Sequence, residues 1–487
     1  MRFQDDIDAL KKKKLCFACV DEEYLSAEIL SAGKVAKCSY CGNRQKSYTI
    51  GDMAERIAEV FEEHYTRTSD QPDSFQQMMM SDPDGSYEFE REGQEVVYAI
   101  EDAAKIPLAA AQDIQVILEE ENAVYDHSEI DGETEFAAES HYEEKGSSIE
   151  AWHDEWTAFE RSLKMEARFF SQTSAKHLYS VFGEIDKMRT KKGEPLIVDA
   201  GPGMPMSAFY RARAFQAEDK LIEAMGRPDK HLGSAPAHLS SAGRMNARGI
   251  SVFYGAGSAK VALAEVRPPV GSQALVGRFE VIRPLRLLDL TALRNVVERG
   301  SIFDRGYGRR LERAMFLRYL SQNMTRPVMP DDEAFEYLPT QAVADYLATQ
   351  KEPKIDGILF PSVQAAGDEL NVVLFHKAAR VETYEVPKGA RIEGSTYEQD
   401  SDGVHTNFSV IEWVPPEEKK PDPLPGFPDF AGFRISPWVE PDLDGREPAL
   451  RVDMKSLTVH RINKVEYDTT EYDVSRSRHT TLRHEKF

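Results

Sequence analysis

Four cysteines near the N-terminus have the spacing of a metal site. They form two Cys-x-x-Cys pairs separated by 18 residues, and they are the only cysteines in the sequence: Cys16, Cys19, Cys38 and Cys41. Such pairs are typical of tetrahedral zinc, and Gly42 supplies the backbone freedom that the second turn needs. Four thiolates leave no open coordination position, so we expect a structural zinc. Two disulfides or an iron–sulfur or redox centre are the alternatives, and a reducing cytosol disfavours the disulfides.

A second set of residues with chemical potential lies in the C-terminal half of the sequence. Arg244, Tyr254 and Glu265 are separated by ten and then eleven residues. They belong to a series of short blocks: Phe209-Tyr210-Arg211, Gly243-Arg244-Met245-Asn246, Val252-Phe253-Tyr254-Gly255-Ala256, Ala262-Leu263-Ala264-Glu265-Val266, Tyr337-Leu338-Pro339-Thr340-Gln341, Asp356-Gly357-Ile358-Leu359-Phe360-Pro361-Ser362-Val363 and Asn371-Val372-Val373-Leu374-Phe375.

These blocks, their order and their spacing resemble the RES-domain family, which is named for its Arg, Glu and Ser residues. The resemblance covers roughly residues 200–385 and departs from the family at Met245, where the family often has Trp. It implies a fold related to ADP-ribosyltransferases and an enzyme that degrades NAD, typically the toxin of a toxin–antitoxin pair. The first 150 residues resemble, less specifically, the cysteine-containing HEPN/RES-associated domain that precedes RES domains in longer bacterial proteins.

The residues of these blocks suit the reaction that the resemblance implies. Cleavage of the nicotinamide–ribose bond builds positive charge on the ribose, so one carboxylate suffices, and Glu265 is the candidate. Arg211 and Arg244 are expected to bind the pyrophosphate. Tyr254 is expected to stack on nicotinamide or donate to ribose, and Ser362 to bind phosphate. The structural alternatives are a helix-surface glutamate, surface ion pairs, a packing tyrosine and a turn serine.

Composition and charge limit the partners that the chain can have. Its 487 residues include 83 acidic and 60 basic side chains, a formal charge of −23, which argues against a surface that grips nucleic acid or anionic lipid throughout. No apolar stretch is long enough to cross a bilayer, and no secretory signal is recognisable, so we expect a cytoplasmic protein. Lysines at 11–14 and basic residues around the second cysteine pair leave nucleic-acid binding open for the zinc module alone.

Local periodicity predicts the elements that position these residues. Helical spacing of apolar residues indicates amphipathic helices over 52–65, 103–118 and 152–177. The composition changes at about Pro195, and Gly201, Pro202, Gly203 and Pro205 predict a linker that is followed by an α+β region. The predicted strands there are 251–254, 275–282, 286–290, 357–360 and 371–375, and the predicted helices are 258–266, 309–320 and 340–349.

The sequence therefore predicts a multi-domain α+β protein. We expect a four-cysteine zinc module over 1–50, an acidic helical domain and connector over 51–192, an ADP-ribosyltransferase-like RES domain over 193–387, and an extension with a linker and a β tail over 388–487. The predicted activity is NAD glycohydrolase or phosphorylase. ADP-ribosyl transfer to a macromolecule and a non-catalytic binding module are the alternatives. NAD is the expected substrate; an antitoxin or regulatory protein and a homodimer are the partners left open.

Overall fold

A computed structural model provides the structure of the protein. It describes residues 2–81, 87–123, 133–166, 171–364, 369–401, 403–416, 444–466 and 468–478. The chain divides into two compact units, of which the first comprises Met1–Leu196 and Ala292–Met324, and the second Ile197–Thr291 and Thr325–Phe487. Each unit is thus built from two separate stretches of sequence, whereas the sequence-based boundaries assume continuous domains.

Helices and strands alternate irregularly along the described residues. The helices are α1 (Arg2–Lys12), α2 (Glu23–Ala32), α3 (Ile50–His64), α4 (Ser74–Met80), α5 (Val96–Ala104), α6 (Leu108–Glu121), α7 (Glu150–Met165), α8 (Gln172–Phe182), α9 (Glu218–Gly226), α10 (Pro228–His231), α11 (Ala259–Glu265), α12 (Leu290–Leu293), α13 (Tyr307–Thr325), α14 (Glu333–Glu336) and α15 (Leu338–Thr349). The strands are β1 (Lys14–Cys16), β2 (Lys34–Lys37), β3 (Arg44–Thr49), β4 (Tyr65–Arg67), β5 (Gln94–Glu95), β6 (His141–Glu144), β7 (Arg189–Thr190), β8 (Ile197–Ala200), β9 (Ala208–Phe215), β10 (Phe253–Ala256), β11 (Gln273–Val281), β12 (Leu285–Asp289), β13 (Val296–Val297), β14 (Gly357–Pro361), β15 (Leu370–Leu374), β16 (Arg391–Asp400), β17 (Gly403–Trp413), β18 (Leu450–Val452) and β19 (Thr458–Arg461).

The first unit joins a small cysteine-bearing sheet to a helical core. Strands β1, β3 and β2 form an antiparallel sheet in that order. Helix α3 follows directly, because Thr49 and Asp52 form a capping box at its start. The predicted helix over 52–65 is thereby confirmed. Its apolar face packs with α5 and α6 in one core.

Two predicted helices of the first unit are each divided in two. The helix predicted over 103–118 is present as α6 from Leu108, but its predicted start is wrong, because Lys105 adopts a left-handed conformation (φ 49°) that ends α5, and Pro107 directly precedes α6. The helix predicted over 152–177 is also wrong as one element, since α7 ends at Met165 and Ser171 caps a separate helix, α8. Residues 167–170 lie outside the described part. The apolar face predicted for α7 is buried.

The second unit is organised by one nine-stranded sheet. Its strands follow the order β18-β11-β9-β10-β15-β14-β12-β8, with β19 also paired to β11, and only β12 and β14 run parallel. The five predicted strands and the helices predicted over 258–266 and 340–349 are present in this unit, although β10 begins two residues later than predicted. The helix predicted over 309–320 is present as α13, which belongs to the first unit up to Met324. The linker predicted at Gly201–Pro205 lies between β8 and β9. Strand β8 was not predicted; it pairs with β12, and its end residues are buried.

Side chains alternate between the two faces of this sheet. One face carries the larger core, with Phe209, Phe253 and Phe279. The other face carries Ala212 and Ala256, which pack against α11. Because adjacent antiparallel residues share a face, Asn371 lies on the α11 side with its cross-strand partner Ala256. This face holds Asn371 and helix α11 with Glu265, whereas Arg211 stacks on Phe253 of the opposite face.

The predicted C-terminal extension contributes to the same sheet. Strand β18 pairs with the end of β11, and β19 pairs with its beginning. The β tail expected near 457–467 is therefore present as β19, and the extension begins with a hairpin of β16 and β17. Most of the predicted proline-rich linker over 415–428 lies outside the described residues. Within the described ranges, no helix is both long enough and apolar enough to span a membrane.

Candidate functional site

Helix α11 carries Glu265 as its last residue. The helix begins after Ser258, whose hydroxyl accepts a hydrogen bond from the Val261 backbone N–H (3.3 Å). Val261 and Ala262 are buried against the strands. Glu265 lies one turn later on the same side of the helix and is exposed at its last position. The helix is thus anchored by its apolar face and presents a carboxylate at its end.

The Glu265 carboxylate is fixed through one oxygen. Its Oε1 accepts hydrogen bonds from Ser362 Oγ (2.6 Å) and Asn371 Nδ2 (2.7 Å). Ser362 and Asn371 are both more than nine-tenths buried, with 8% and 5% exposed. The hydroxyl of Ser362, predicted from the sequence to bind phosphate, thus donates a hydrogen bond to Glu265. Asn371 was not among the predicted site residues.

Tyr254 supports the loop that carries Arg244. The Tyr254 hydroxyl accepts a hydrogen bond from Met245 N (3.0 Å) and donates one to Asn246 Oδ1 (2.9 Å). Burial raises the pKa of Tyr254 to about 12, so its hydroxyl stays protonated at neutral pH. The buried amide of Asn246 also donates to three carbonyl oxygens of the same loop. Asn246 was not among the predicted site residues, because its role depends on these hydrogen bonds in the folded protein.

Arg244 is held at its backbone and stacks through its side chain. Thr340 Oγ1 donates to the Arg244 carbonyl (2.6 Å), and Gln341 Nε2 donates to the Gly243 carbonyl (2.8 Å). The Arg244 guanidinium carbon lies 5.1 Å from the ring centre of Tyr337. The start of α15 therefore fixes the loop, and the aromatic ring restricts the guanidinium.

Gly243 is required by the close packing of this loop. A Cβ atom there would lie 2.7 Å from Asn246 Oδ1 and 2.8 Å from the Tyr254 hydroxyl. Gly243→Ala is therefore expected to lower the thermal unfolding midpoint of the second unit by several degrees, corresponding to about 1–3 kcal/mol. Scanning calorimetry measures it. Gly445→Ala, where nothing lies within 4 Å, is the matched control, and equal midpoints for both variants would contradict the prediction.

Arg211 is a half-buried cation on β9. Its guanidinium carbon lies 5.1 Å from the ring centre of Phe253, and its Nη1 is buried without a hydrogen-bond partner among the described residues. Burial, together with the nearby charge of Arg213, lowers the pKa of Arg211 to about 10. Arg211 is still protonated at neutral pH, so a desolvated positive charge remains available to a ligand.

Two adjoining cavities meet at Glu265. The first, of about 320 Å³, is lined by Arg211, Tyr254, Glu265 and Asn371 among others. The second, of about 260 Å³, is lined by Arg244 and shares Tyr254, Glu265 and Asn371 with the first. The structure thus brings together Arg211, Arg244, Tyr254 and Glu265. Ser362 joins them through its hydrogen bond to Glu265.

The four cysteines of the first unit form a cluster that could hold a metal ion. Their sulfur atoms lie within 4.8 Å of one another, and three of the pairs are 3.6, 3.6 and 3.9 Å apart. Tetrahedral zinc with Zn–S bonds of about 2.3 Å places its sulfur ligands about 3.8 Å apart. All four are free cysteines, which argues against the disulfide alternative. Gly42, with φ 77°, forms the turn beside Cys41.

The second unit is thus a mixed α/β sheet structure whose carboxylate and arginines converge on paired cavities. Comparison with known protein families matches residues 210–395 to the RES domain. This match covers less than half of the chain and includes every candidate residue of the two cavities. The RES domain is associated at the family level with NAD-acting, toxin-like proteins.

The comparisons give no further relatives for the rest of the chain. The RES match does not reach the first 209 residues, so the HEPN/RES-associated domain stays a prediction. Neither the curated proteins nor the solved structures contain a match to this chain.

Proposed function

We propose that the second unit cleaves the bond between nicotinamide and ribose in NAD and releases nicotinamide. One observation carries this proposal: Glu265, inside the RES match, is fixed by two buried donors where the arginine-lined cavities meet. A carboxylate placed in this way is suited to stabilise positive charge in a ligand that spans both cavities.

The proposed reaction is a heterolytic cleavage that needs no general acid. The bond between nicotinamide N1 and ribose C1′ breaks, and its electron pair moves to N1, so nicotinamide leaves as a neutral molecule. The positive charge passes to the ribose ring, where Glu265 stabilises it. An oxygen of water then bonds to C1′ and loses a proton to solvent, giving ADP-ribose. With inorganic phosphate as acceptor, a phosphate oxygen forms the bond and ADP-ribose 1-phosphate results.

The remaining residues have different parts in this proposal. Arg211 and Arg244 supply positive charge for the pyrophosphate, and a ligand anion would pair the unpartnered Nη1 of Arg211. Tyr254 fixes the loop of Arg244 through Met245 and Asn246. Ser362 positions Glu265 by donating to its Oε1. These assignments follow from the contacts of each side chain together with the chemistry of NAD.

Incubation of the purified full-length protein with NAD tests the proposal. Loss of NAD with equimolar nicotinamide and free ADP-ribose would support hydrolysis, and a phosphorylated product formed only with inorganic phosphate would support phosphorolysis. ADP-ribose retained on a macromolecule would indicate a transferase instead. No loss of NAD by protein with bound metal and intact fold would contradict the proposed reaction and favour a binding module.

Arg244→Lys should weaken NAD binding more than it slows the chemical step. Lysine keeps the charge but loses the two-pronged donor and the flat surface that stacks on Tyr337. We expect KM for NAD to rise about tenfold while kcat changes less than threefold, since the pyrophosphate contact persists in the ground and transition states. Steady-state kinetics measure both values. Arg248→Lys, in the same loop and exposed, is the control; a kcat loss with unchanged KM would contradict this role.

We further propose that the cysteine cluster binds zinc as a structural ion. The sulfur separations match those of tetrahedral zinc, and four thiolates leave no position for a substrate.

The family association supports a bacterial toxin or defence effector, with an antitoxin or regulatory protein as its partner. Growth and cellular NAD content, measured in bacteria that express the protein with and without candidate antitoxins, would test that role.

A further inference from the structure

The side-chain amide of Asn371 forms a hydrogen bond through its nitrogen but, among the described residues, none through its oxygen. Its Nδ2 donates to Glu265 Oε1 over 2.7 Å. Its Oδ1 is buried and has no hydrogen-bond partner among the described residues. This orientation of the amide follows from chemistry, because a carboxylate can only accept and must face the NH₂ group. Asn371 therefore presents a buried acceptor in a residue that lines both cavities.

A buried acceptor without a partner indicates a missing donor. Leaving such a group unpaired costs free energy, so native sites usually pair it with protein, water or ligand. The amide nitrogen and oxygen of Asn371 are attached to one carbon, which keeps Oδ1 within a few ångströms of the Glu265 carboxylate. The missing donor must therefore lie next to whatever group Glu265 binds. Two neighbouring hydroxyl groups on one sugar have this arrangement.

The oxygens of Glu265 are not equivalent. Oε1 receives both protein donors, Ser362 Oγ and Asn371 Nδ2, so Oε2 is the oxygen left for a ligand. The hydroxyl on C2′ is next to C1′, where the positive charge develops. A carboxylate that stabilises this charge is thus placed to accept from the 2′-hydroxyl, and the adjacent 3′-hydroxyl falls to the neighbouring acceptor.

We propose that Asn371 Oδ1 accepts a hydrogen bond from the 3′-hydroxyl of the nicotinamide ribose, beside a 2′-hydroxyl bound by Glu265 Oε2. Asn371 is then a specificity residue that makes the site selective for an intact ribose diol. This inference rests on the proposed function, since it takes NAD as the ligand. It assigns Asn371 two tasks, because the same amide also holds Oε1 of the carboxylate.

Binding of NAD analogues that cannot be cleaved tests this assignment. The probes are carbocyclic NAD and its forms lacking either the 3′- or the 2′-hydroxyl on the nicotinamide side, titrated by calorimetry into the full-length protein. We expect removal of the 3′-hydroxyl to weaken binding about tenfold or more, since the buried acceptor is left unpaired. In Asn371→Ala, whose acceptor is gone, the same removal should weaken binding less than about threefold.

Two control variants separate this contact from general disturbance. Ser362→Ala removes the other donor to Glu265 Oε1 but leaves Asn371 Oδ1, so the tenfold penalty should persist. Asn407→Ala, an exposed residue of β17, should behave as the parent protein. If Asn371→Ala folds poorly, the measurement on the parent protein still tests the assignment. Equal affinity of the parent protein for the probes with and without the 3′-hydroxyl would overturn it.

The outcomes also distinguish this inference from the proposed function. If carbocyclic NAD does not bind the parent protein, NAD is not the ligand and both proposals fail. If it binds without a 3′-hydroxyl penalty, or if Asn371→Ala relieves the 2′-deoxy penalty instead, only the role of Asn371 is wrong. Because the probes are not cleaved, a protein that binds them as expected but does not turn over NAD would keep this inference and lose the reaction.

Discussion

Replacing Glu265 with Gln is expected to lower kcat for nicotinamide release by a factor on the order of 10² or more. Glutamine keeps the size of the side chain and an oxygen that can accept from Ser362 and Asn371, so the local contacts can be retained. It removes the negative charge, which acts mainly when positive charge develops on the ribose. NAD should therefore still bind to the variant.

Turnover measurements and calorimetric titration with NAD check both parts of this prediction. Glu385→Gln is the matched control, because Glu385 is an exposed residue of the second unit outside both cavities. A Glu265→Gln protein that releases nicotinamide at the parental rate would remove the central catalytic role. A variant that loses NAD binding along with turnover would instead indicate that Glu265 serves substrate binding.

The sequence could predict the elements of the second unit because their signals are local. Apolar runs bounded by turn residues predicted β11, β12, β14 and β15, and helical spacing predicted α11. The order of strands in the sheet is a long-range property. Strands β18 and β19 pair with β11 although more than 160 residues separate them along the chain. A local sequence pattern does not predict such pairing.

The same distinction applies to the candidate site. Arg244, Tyr254 and Glu265 could be selected by their spacing, which is a property of the sequence. The hydrogen-bond partner of Ser362 could not be predicted in this way. The pairing of β14 with β15 places Ser362 and Asn371 beside Glu265, although 97 and 106 residues separate them from it along the chain. Asn371 is the first residue of one of the recognised blocks, and a polar residue within an otherwise apolar strand was the available signal.

Replacing Cys38 and Cys41 together with Ser should release the metal ion and destabilise the first unit. The parent protein is expected to contain about one zinc ion per chain, because four thiolates at tetrahedral distances form one closed site. Serine hydroxyls do not replace thiolates as zinc ligands, so the double variant should retain well under a tenth of that zinc. Elemental analysis of the purified protein measures it.

Loss of the ion should destabilise the whole first unit, because the cysteine cluster adjoins its hydrophobic core. Cys16 and its neighbour Leu15 are fully buried, and Leu15 packs with residues of α2 and α3 in the core of the first unit. Since binding of structural zinc contributes directly to folding, the thermal transition of this unit should fall by ten degrees or more, roughly, in the double variant. Chelator treatment of the parent protein should reproduce that fall, and added zinc should reverse it. Unchanged zinc content in the double variant would show that the cysteines do not hold the ion.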